Sequence, residues 1–270
     1  MLDFLLICHN NADYFVNVFP KILESIQILE PNFYIYENNS TDNTKHILQH
    51  YQKKIPNFYF LSENTEYFSN RYKNICIARN KLLDFYRTTK NNNNNDNIWC
   101  VLFDTNVIFN SKSVTELINN SIYGADMLCS YTTYYNLNSN NNYYYDLLAL
   151  NYGKYFYQKN IDFNRIKNDS NLYKNDLLIE IESGFGGLVL INKDIILQNN
   201  WHLVKHKETN HINSNNIICE HWDFCKKIKG KIFLVKNSKA LWYMDKNIPN
   251  NLNDKKKFYI DIYDYFNLKL

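Results

Sequence analysis

The chain has no pair of cysteines at CxxC spacing, no run near the roughly 20 apolar residues that a membrane-crossing helix needs, and no excess of one charge. Each absence excludes a class. Its six cysteines stand at positions 8, 76, 100, 129, 219 and 225, so a structural zinc site is not expected. Even Cys219, His221 and Cys225 have the wrong spacing for one. Cys8, Cys76, Cys100 and Cys129 lie in apolar runs and read as small core residues of a reducing compartment. With 30 basic and 27 acidic residues, the net charge of +3 is too balanced for a nucleic-acid binder, and the run Lys255-Lys256-Lys257 reads as a solvated face. The apolar amino terminus lacks a basic stretch and is interrupted by Asp3, which fits a first strand better than a signal peptide. A soluble cytoplasmic protein with no transmembrane segment is expected, with its oligomeric state open. No repeat or linker divides the 270 residues, so one domain is expected.

What is present is aromatic and alternating. Tyr (23) and Phe (17) dominate the aromatics, in the company of many Asn, Lys and Ile, as in AT-biased coding sequences of large DNA viruses and protists. The first half alternates strand-like and helix-like blocks. Leu2–Cys8 reads as a buried strand, Tyr14–Leu29 as a helix, and Phe33–Tyr36 as a second strand. Ser40 or Thr41 is placed to cap a helix over 42–53. Phe58–Leu61 is a third strand, Arg71–Arg87 a helix, and Ile98–Phe103 the clearest strand of all. The Asn-rich stretch 90–97 reads as surface loop. A short helix over 112–120 follows, then extended segments at 125–135 and 143–150 and a polar stretch over 151–178 that suits an acceptor-side loop or lid. Gly184–Ile191 reads as a strand, 220–229 as a helix, 232–235 and 240–243 as late strands, and 258–266 as an aromatic tail that packs back on the body. This order predicts an α/β fold with a mostly parallel sheet flanked by helices. Ligands of such sheets bind beyond the carboxyl ends of the strands.

Five constellations carry chemistry. Asp104 and Asn106 follow a buried strand and offer a carboxylate and an amide oxygen to a divalent cation, Mn²⁺ or Mg²⁺, that would neutralise a diphosphate. Glu37-Asn38-Asn39-Ser40-Thr41-Asp42-Asn43-Thr44 joins a strand to a helix; its acid and amides suit a nucleoside, and its hydroxyls suit a helix cap. Arg71 and Arg79 lie about two turns apart on one helix and suit a diphosphate. Glu220 and Asp223 share a helical face, where either can deprotonate an acceptor hydroxyl, and His221 between them can complete a metal shell. Glu182-Ser183-Gly184-Phe185-Gly186-Gly187 lets backbone approach a ligand closely or makes a tight turn; it is neither a Walker loop nor a Rossmann fingerprint.

These segments resemble a known group. Tyr36–Thr44 is similar to the strand-two motif of GT-A glycosyltransferases. Arg71 with Ile77-Ala78-Arg79-Asn80 resembles the arginine helix of the cryptococcal α-1,3-mannosyltransferase and capsule-associated protein family. Phe103–Phe109 is similar to that family's metal motif, and Gly124–Cys129 and Tyr144-Tyr145-Asp146 to its next two blocks. Cys219–Phe224 is similar to the late acidic motif of family 2 inverting transferases. The resemblance covers about residues 2–245.

It implies a GT-A, Rossmann-like single domain, with a nucleotide-binding half over 1–110, an acceptor-binding half over 111–245 and a tail over 246–270. It implies a metal-dependent transferase that moves a sugar from a UDP- or GDP-sugar donor to a glycan or protein acceptor. Asp104, Asn106 and His221 would hold the metal; Glu37, Asn38, Arg71, Arg79 and Asp104 the donor. Glu220 or Asp223 would be the base of an inverting reaction; the mannosyltransferase relatives retain configuration and the family 2 relatives invert it. One carboxylate stands where many relatives have two, which makes His221 more necessary as a ligand and leaves an inactive carbohydrate-binding protein as an alternative. A sugar nucleotidyltransferase is the other; it would carry a Gly-rich basic loop after the first strand, where His9-Asn10-Asn11 stands.

Overall fold

A computed structural model describes residues 1–90, 98–134, 144, 146, 149–150, 177–203, 219–243 and 248–269. Its first four sheet neighbours are parallel. Strand β1 (Leu2–Cys8) pairs with β2 (Pro31–Asn38) on one side and β4 (Trp99–Phe103) on the other, and β3 (Phe58–Glu63) extends β2. β1, β2 and β4 are buried on both faces, so they read as largely apolar runs, while β3 at the edge is only partly buried. Beyond β4 the sheet is mixed. β8 (Leu188–Asn192) runs antiparallel to β4 and to β6 (Ala125–Tyr134), and β6 is parallel to β9 (Lys231–Trp242). The short β5 (Val107–Ile108) and β7 (Leu178–Ile181) pair antiparallel with β9. The sheet order is β3-β2-β1-β4-β8-β6-β9-β5, with β7 on β9. Helices join strands in both halves: α5 (Ser111–Asn120) stands between β5 and β6, and two short helices stand between β8 and β9.

The helices depart from the expected boundaries for identifiable reasons. The segment expected as one helix over 14–29 is split into α1 (Ala12–Asn17) and α2 (Phe19–Ile26), because Pro20 in the first turn of α2 supplies no N–H. Ser40 and Thr41 do not cap α3 (Thr44–Lys54): its N-cap is Asn43. Asp42 accepts from the Thr44 N–H instead, while the Ser40 hydroxyl accepts the N–H of Asn10, from the loop after β1, at 2.9 Å. α4 (Arg71–Lys90) is a 20-residue helix that packs on β1 and β2. α5 (Ser111–Asn120) begins with a capping box built from Asn110 and Ser113.

The two late strands expected at 232–235 and 240–243 are one strand, β9, with an irregularity opposite Ser130 and Tyr131. Gly184–Gly187 precedes β8 rather than belonging to it. The short α6 (Lys193–Gln198) follows β8, and α7 (Glu220–Lys226) precedes β9. The expected tail is a helix, α8 (Leu252–Lys269), which buries Phe258, Tyr259, Ile262, Tyr263 and Phe266. The Tyr263 hydroxyl donates to the carbonyl of Val18, between α1 and α2, at 2.9 Å, and Lys255 pairs with Asp13 at 2.6 Å. Most of the segments expected over 90–97, 143–150 and 151–178 lies outside the described residues. Among the described residues no helix is long and apolar enough to cross a membrane.

Asp3, which breaks the apolar first strand in the sequence, is fully buried and fully engaged. Lys90 meets its carboxylate at 2.8 Å, the Tyr86 hydroxyl donates at 2.7 Å and Asn32 at 2.8 Å. This cluster ties the end of α4 to the amino-terminal edge of β1 and β2. Removing one member leaves a desolvated charge without its counter-ion. Asp3→Ala is therefore expected to lower stability by about 3–5 kcal/mol, measured as the shift in urea midpoint at constant slope; a loss below about 1 kcal/mol would show the pair to be solvated.

Candidate active site

The carboxyl end of β4 presents Asp104 at the start of a turn. The Asp104 N–H donates to the carbonyl of Gly187 at 2.9 Å, and the Val107 N–H returns to the Asp104 carbonyl at 3.3 Å. The Asn106 carbonyl accepts the Tyr243 N–H at 3.1 Å, so the Asp104–Asn106 turn is fastened to the end of β9. Gly186 and Gly187 have φ of +66° and +71°, in the left-handed region that favours glycine. A Cβ on Gly186 would also press on the Ser130 carbonyl, and one on Gly187 on Val107. The glycine motif is thus a tight turn that brings backbone against the Asp104 loop.

Arg79, from the middle of α4, lies at the centre of this end of the sheet. It is 5% exposed. One terminal amino group reaches Asp104 Oδ1 at 3.3 Å and His221 Nε2 at 3.1 Å. Its Nε stands 3.6 Å from Glu220 Oε1, near enough for ion pairing and too far for a hydrogen bond. The guanidinium carbon lies 4.6 Å from the ring centre of Phe185 and 5.6 Å from that of Trp201. His221 stacks on Phe185 at 3.9 Å and 16°, and its Nε2 is 3.4 Å from Glu220 Oε1. Burial, then the Arg79 charge, pushes the His221 pKa well below the usual imidazole value. Neutral His221 accepts from Arg79 through Nε2, so that nitrogen faces the arginine rather than a metal.

The acids are crowded. Burial raises the Asp104 pKa, Arg79 lowers it, Glu220 raises it and Arg71 lowers it. Asp146, from a block of the sequence to which no role was given, joins them. Its Oδ2 accepts the Gly186 N–H at 2.9 Å. Burial pushes its carboxyl up to about 7; the Gly186 N–H opposes this, and Asp104 and Glu220 add to it.

The expected site residues do not all converge. Asp104, Arg79, Glu220 and His221 form one contact network, with Arg71 close enough to act on Asp104. Asp223 takes different partners from Glu220: Lys227, four residues on, at 2.7 Å and His202 at 3.5 Å. Glu37 is fully buried beneath its loop, where it accepts the Ser40 N–H at 2.7 Å and the Ser62 hydroxyl at 2.5 Å. It shapes the loop after β2 from within. Beside it, the Asn38 carbonyl accepts from His9 Nδ1 at 2.7 Å, and His9 stacks on the exposed Tyr67 at 5.6 Å. Sequence reasoning missed Asp146, Phe185 and Trp201 as members of the site. A signal existed only for the first two, which lie in segments already singled out.

A divalent cation fits this setting on charge. Three acids with overlapping fields outnumber one buried arginine, and the two carboxyls pushed upward gain most from added positive charge. Among the described residues no three His, Cys, Asp or Glu side chains converge to ligate one. The protein would therefore offer a cation few ligands, Asp104 and Asn106 foremost, as Mg²⁺ and Mn²⁺ accept when phosphates and water supply the rest.

Solved structures share this architecture. The Staphylococcus aureus TarS fragment 1–349, determined with UDP, superposes with a TM-score of 0.51 at 9% identity over 90% of this chain and 60% of that one. The mannosyltransferase PcManGT from Pyrobaculum calidifontis, with GDP-Man and Mn²⁺, gives 0.50 at 7% identity over 93% of this chain and 57% of that one. GalNAc-T7, with UDP, GalNAc and Mn²⁺, gives 0.54 at 12% identity over 90% and 44%. This chain thus spans 60% or less of the length of each. At these identities the likeness shows the GT-A fold. No curated protein sequence matches the chain. The model of the family described as cryptococcal mannosyltransferase 1 matches residues 4–223, which include Arg79, Asp104, Glu220 and His221, and the chain belongs to that family.

Proposed function

We propose that the protein is a glycosyltransferase that moves a sugar from a UDP- or GDP-sugar to a hydroxyl of a glycan or protein acceptor. The observation that carries this reading is Asp104 at the carboxyl end of a central parallel strand, in contact with a buried arginine and within the field of a second. In sheets of this kind, that edge receives the ligand. The family match and the GT-A neighbours support the same reading.

The donor diphosphate would lie between Asp104 and Arg71, which opens α4 and is exposed. Arg79 stands behind Asp104, and its second terminal amino group meets no hydrogen-bond partner among the described residues. The nucleoside end would face the loops after β1 and β2, with Asn38 at their base and Glu37 fixing their shape. Asp104 and Asn106 would hold Mg²⁺ or Mn²⁺, which offsets charge on the departing diphosphate when bound. His221 is left out of that ligand set because its Nε2 is turned to Arg79. Of the two candidate bases, Glu220 faces the site and Asp223 is held by Lys227. Glu220 would take the acceptor proton in an inverting transfer; with retention it would position His221 and Arg79.

Hydrolysis of a panel of UDP- and GDP-sugars, followed as released nucleotide with Mn²⁺, Mg²⁺ or EDTA, tests the reading directly. Turnover of at least one donor is expected. Asp104→Ala should reduce it by about 100-fold or more, and an unchanged rate in that variant would remove Asp104 from the mechanism.

The crowding of acids has a consequence for stability. A carboxyl with a native pKa near 7 and an unfolded value of about 3.9 binds its proton more tightly when folded. Its contribution is complete below about pH 4 and is lost as the pH rises through 7. Asp146→Asn carries no charge at any pH. Between about pH 5 and pH 8.5 the variant should gain on the parent by about 1–3 kcal/mol in urea unfolding. A difference that does not vary with pH would assign the titration to another group.

A further inference from the structure

Residues 199–202 belong to no helix or strand, yet an unusual number of side chains hold them. Asn80 takes both backbone polar groups of Trp201: its amide nitrogen donates to the Trp201 carbonyl at 2.9 Å, and its amide oxygen accepts the Trp201 N–H at 2.8 Å. Arg87, two turns further along α4, donates to the carbonyls of Ile196 at 3.0 Å and Asn199 at 2.9 Å and to the Asn200 side chain at 3.0 Å. Lys227 donates to the Asn200 carbonyl at 2.6 Å. This strap delivers one large side chain inward. Trp201 is 2% exposed, lies face to face with Phe224 at 4.0 Å and 10°, and offers its ring to the Arg79 guanidinium. Its buried indole N–H meets no acceptor among the described residues. A buried tryptophan that were there as an amphipathic core residue would normally find one. The faces of this ring are in use and its polar edge is not.

We infer that Trp201, clamped by Asn80, is a positioning residue for transfer: with Phe185 it fixes the Arg79 guanidinium between Asp104 and the Glu220–His221 pair. The inference rests on the glycosyltransferase reading. The physical ground is preorganisation. A guanidinium whose hydrogen bonds, 3.3 Å to Asp104 and 3.1 Å to His221, both leave one terminal amino group, with only a long contact to Glu220, has its plane fixed by none of these groups. Aromatic faces supply orientation without competing for its donors, and a misplacement of about 1 Å is enough to cost up to 10²-fold in rate. One residue of α4 therefore enters the site, and the next builds the wall that steadies it.

The test uses the full chain and whichever donor of the UDP- and GDP-sugar panel the parent hydrolyses best. Trp201→Leu keeps an apolar side chain and removes the π faces; Trp201→Phe keeps a face. The inference expects Trp201→Leu to lower kcat for donor hydrolysis by about 10- to 50-fold with KM within about threefold. Trp201→Phe should stay within about threefold of the parent, and Asn80→Ala should follow the leucine variant. Parental kcat in Trp201→Leu, or parallel losses in both tryptophan variants that track their melting temperatures, would overturn it. Should both tryptophan variants unfold, Asn80→Ala decides alone: parental kcat with parental KM defeats the inference. Absence of turnover of any donor by the parent would sink the glycosyltransferase reading and this inference together. Unchanged turnover in Arg79→Ala would show that Arg79 needs no positioning, and would leave the broader reading standing.

Discussion

The site depends on one buried guanidinium. Arg79 reaches Asp104 from the end of β4 and Glu220 and His221 from the start of α7, elements more than a hundred residues apart in sequence. Without it, these groups would share a desolvated space with a net negative field and no reason to approach. A buried ion pair is stabilising only when geometry and additional hydrogen bonds offset desolvation. Here the offset is incomplete: the Glu220 contact is 3.6 Å, Arg79 Nε makes no hydrogen bond, and Asp104 and Asp146 are both pushed upward. The residual negative charge is the property that a bound divalent cation would offset.

The opposite edge of the sheet shows what a finished polar cluster looks like. Asp3 has Lys90, Tyr86 and Asn32 on its two oxygens at 2.7 to 2.8 Å, with no oxygen left over. The same helix supplies both clusters: its final residues lock the amino-terminal edge, and its middle turns serve the carboxyl-terminal edge. The fold thus fixes α4 rigidly at one end. Arg79, in the middle of the same helix, inherits that anchoring, which is where a group meant to act by fixed position should sit.

Much of this could be read from the residues in order. The parallel strands announced themselves as apolar runs because both of their faces are covered, and Asp104 stood out because a polar residue ends the most apolar of them. The glycines at 186 and 187 marked a turn that no other residue type makes easily. What stayed hidden was direction. Spacing put Glu220 and Asp223 on one face of a helix, but Lys227 draws Asp223 to a different partner. Spacing put Glu37 at a strand end, yet its side chain turns inward to Ser40 and Ser62. The C-terminal helix was legible in hindsight, since 258, 262 and 266 recur at helical spacing; its aromatic content masked the period. Trp201 gave no signal, because its place is set by side chains of residues 80, 87 and 227 rather than by its own surroundings in sequence.

The dipeptide Arg79-Asn80 shows why such sites resist reading by pattern. Neighbouring residues on a helix project about 100° apart, so they cannot serve one face. Arg79 reaches Asp104 and His221, while Asn80 binds the backbone of Trp201 and thereby places a ring against its own neighbour. A periodicity argument assigns each of them to a separate surface and finds nothing to connect them. The connection runs through a strap distant in sequence that folds back on α4, and it exists only once the chain has closed. Coupling of this kind makes the helix more than a carrier of one basic residue: the precision of the guanidinium and the placement of residues 199–202 become a single structural variable. A change in either is then felt at Asp104 through Arg79.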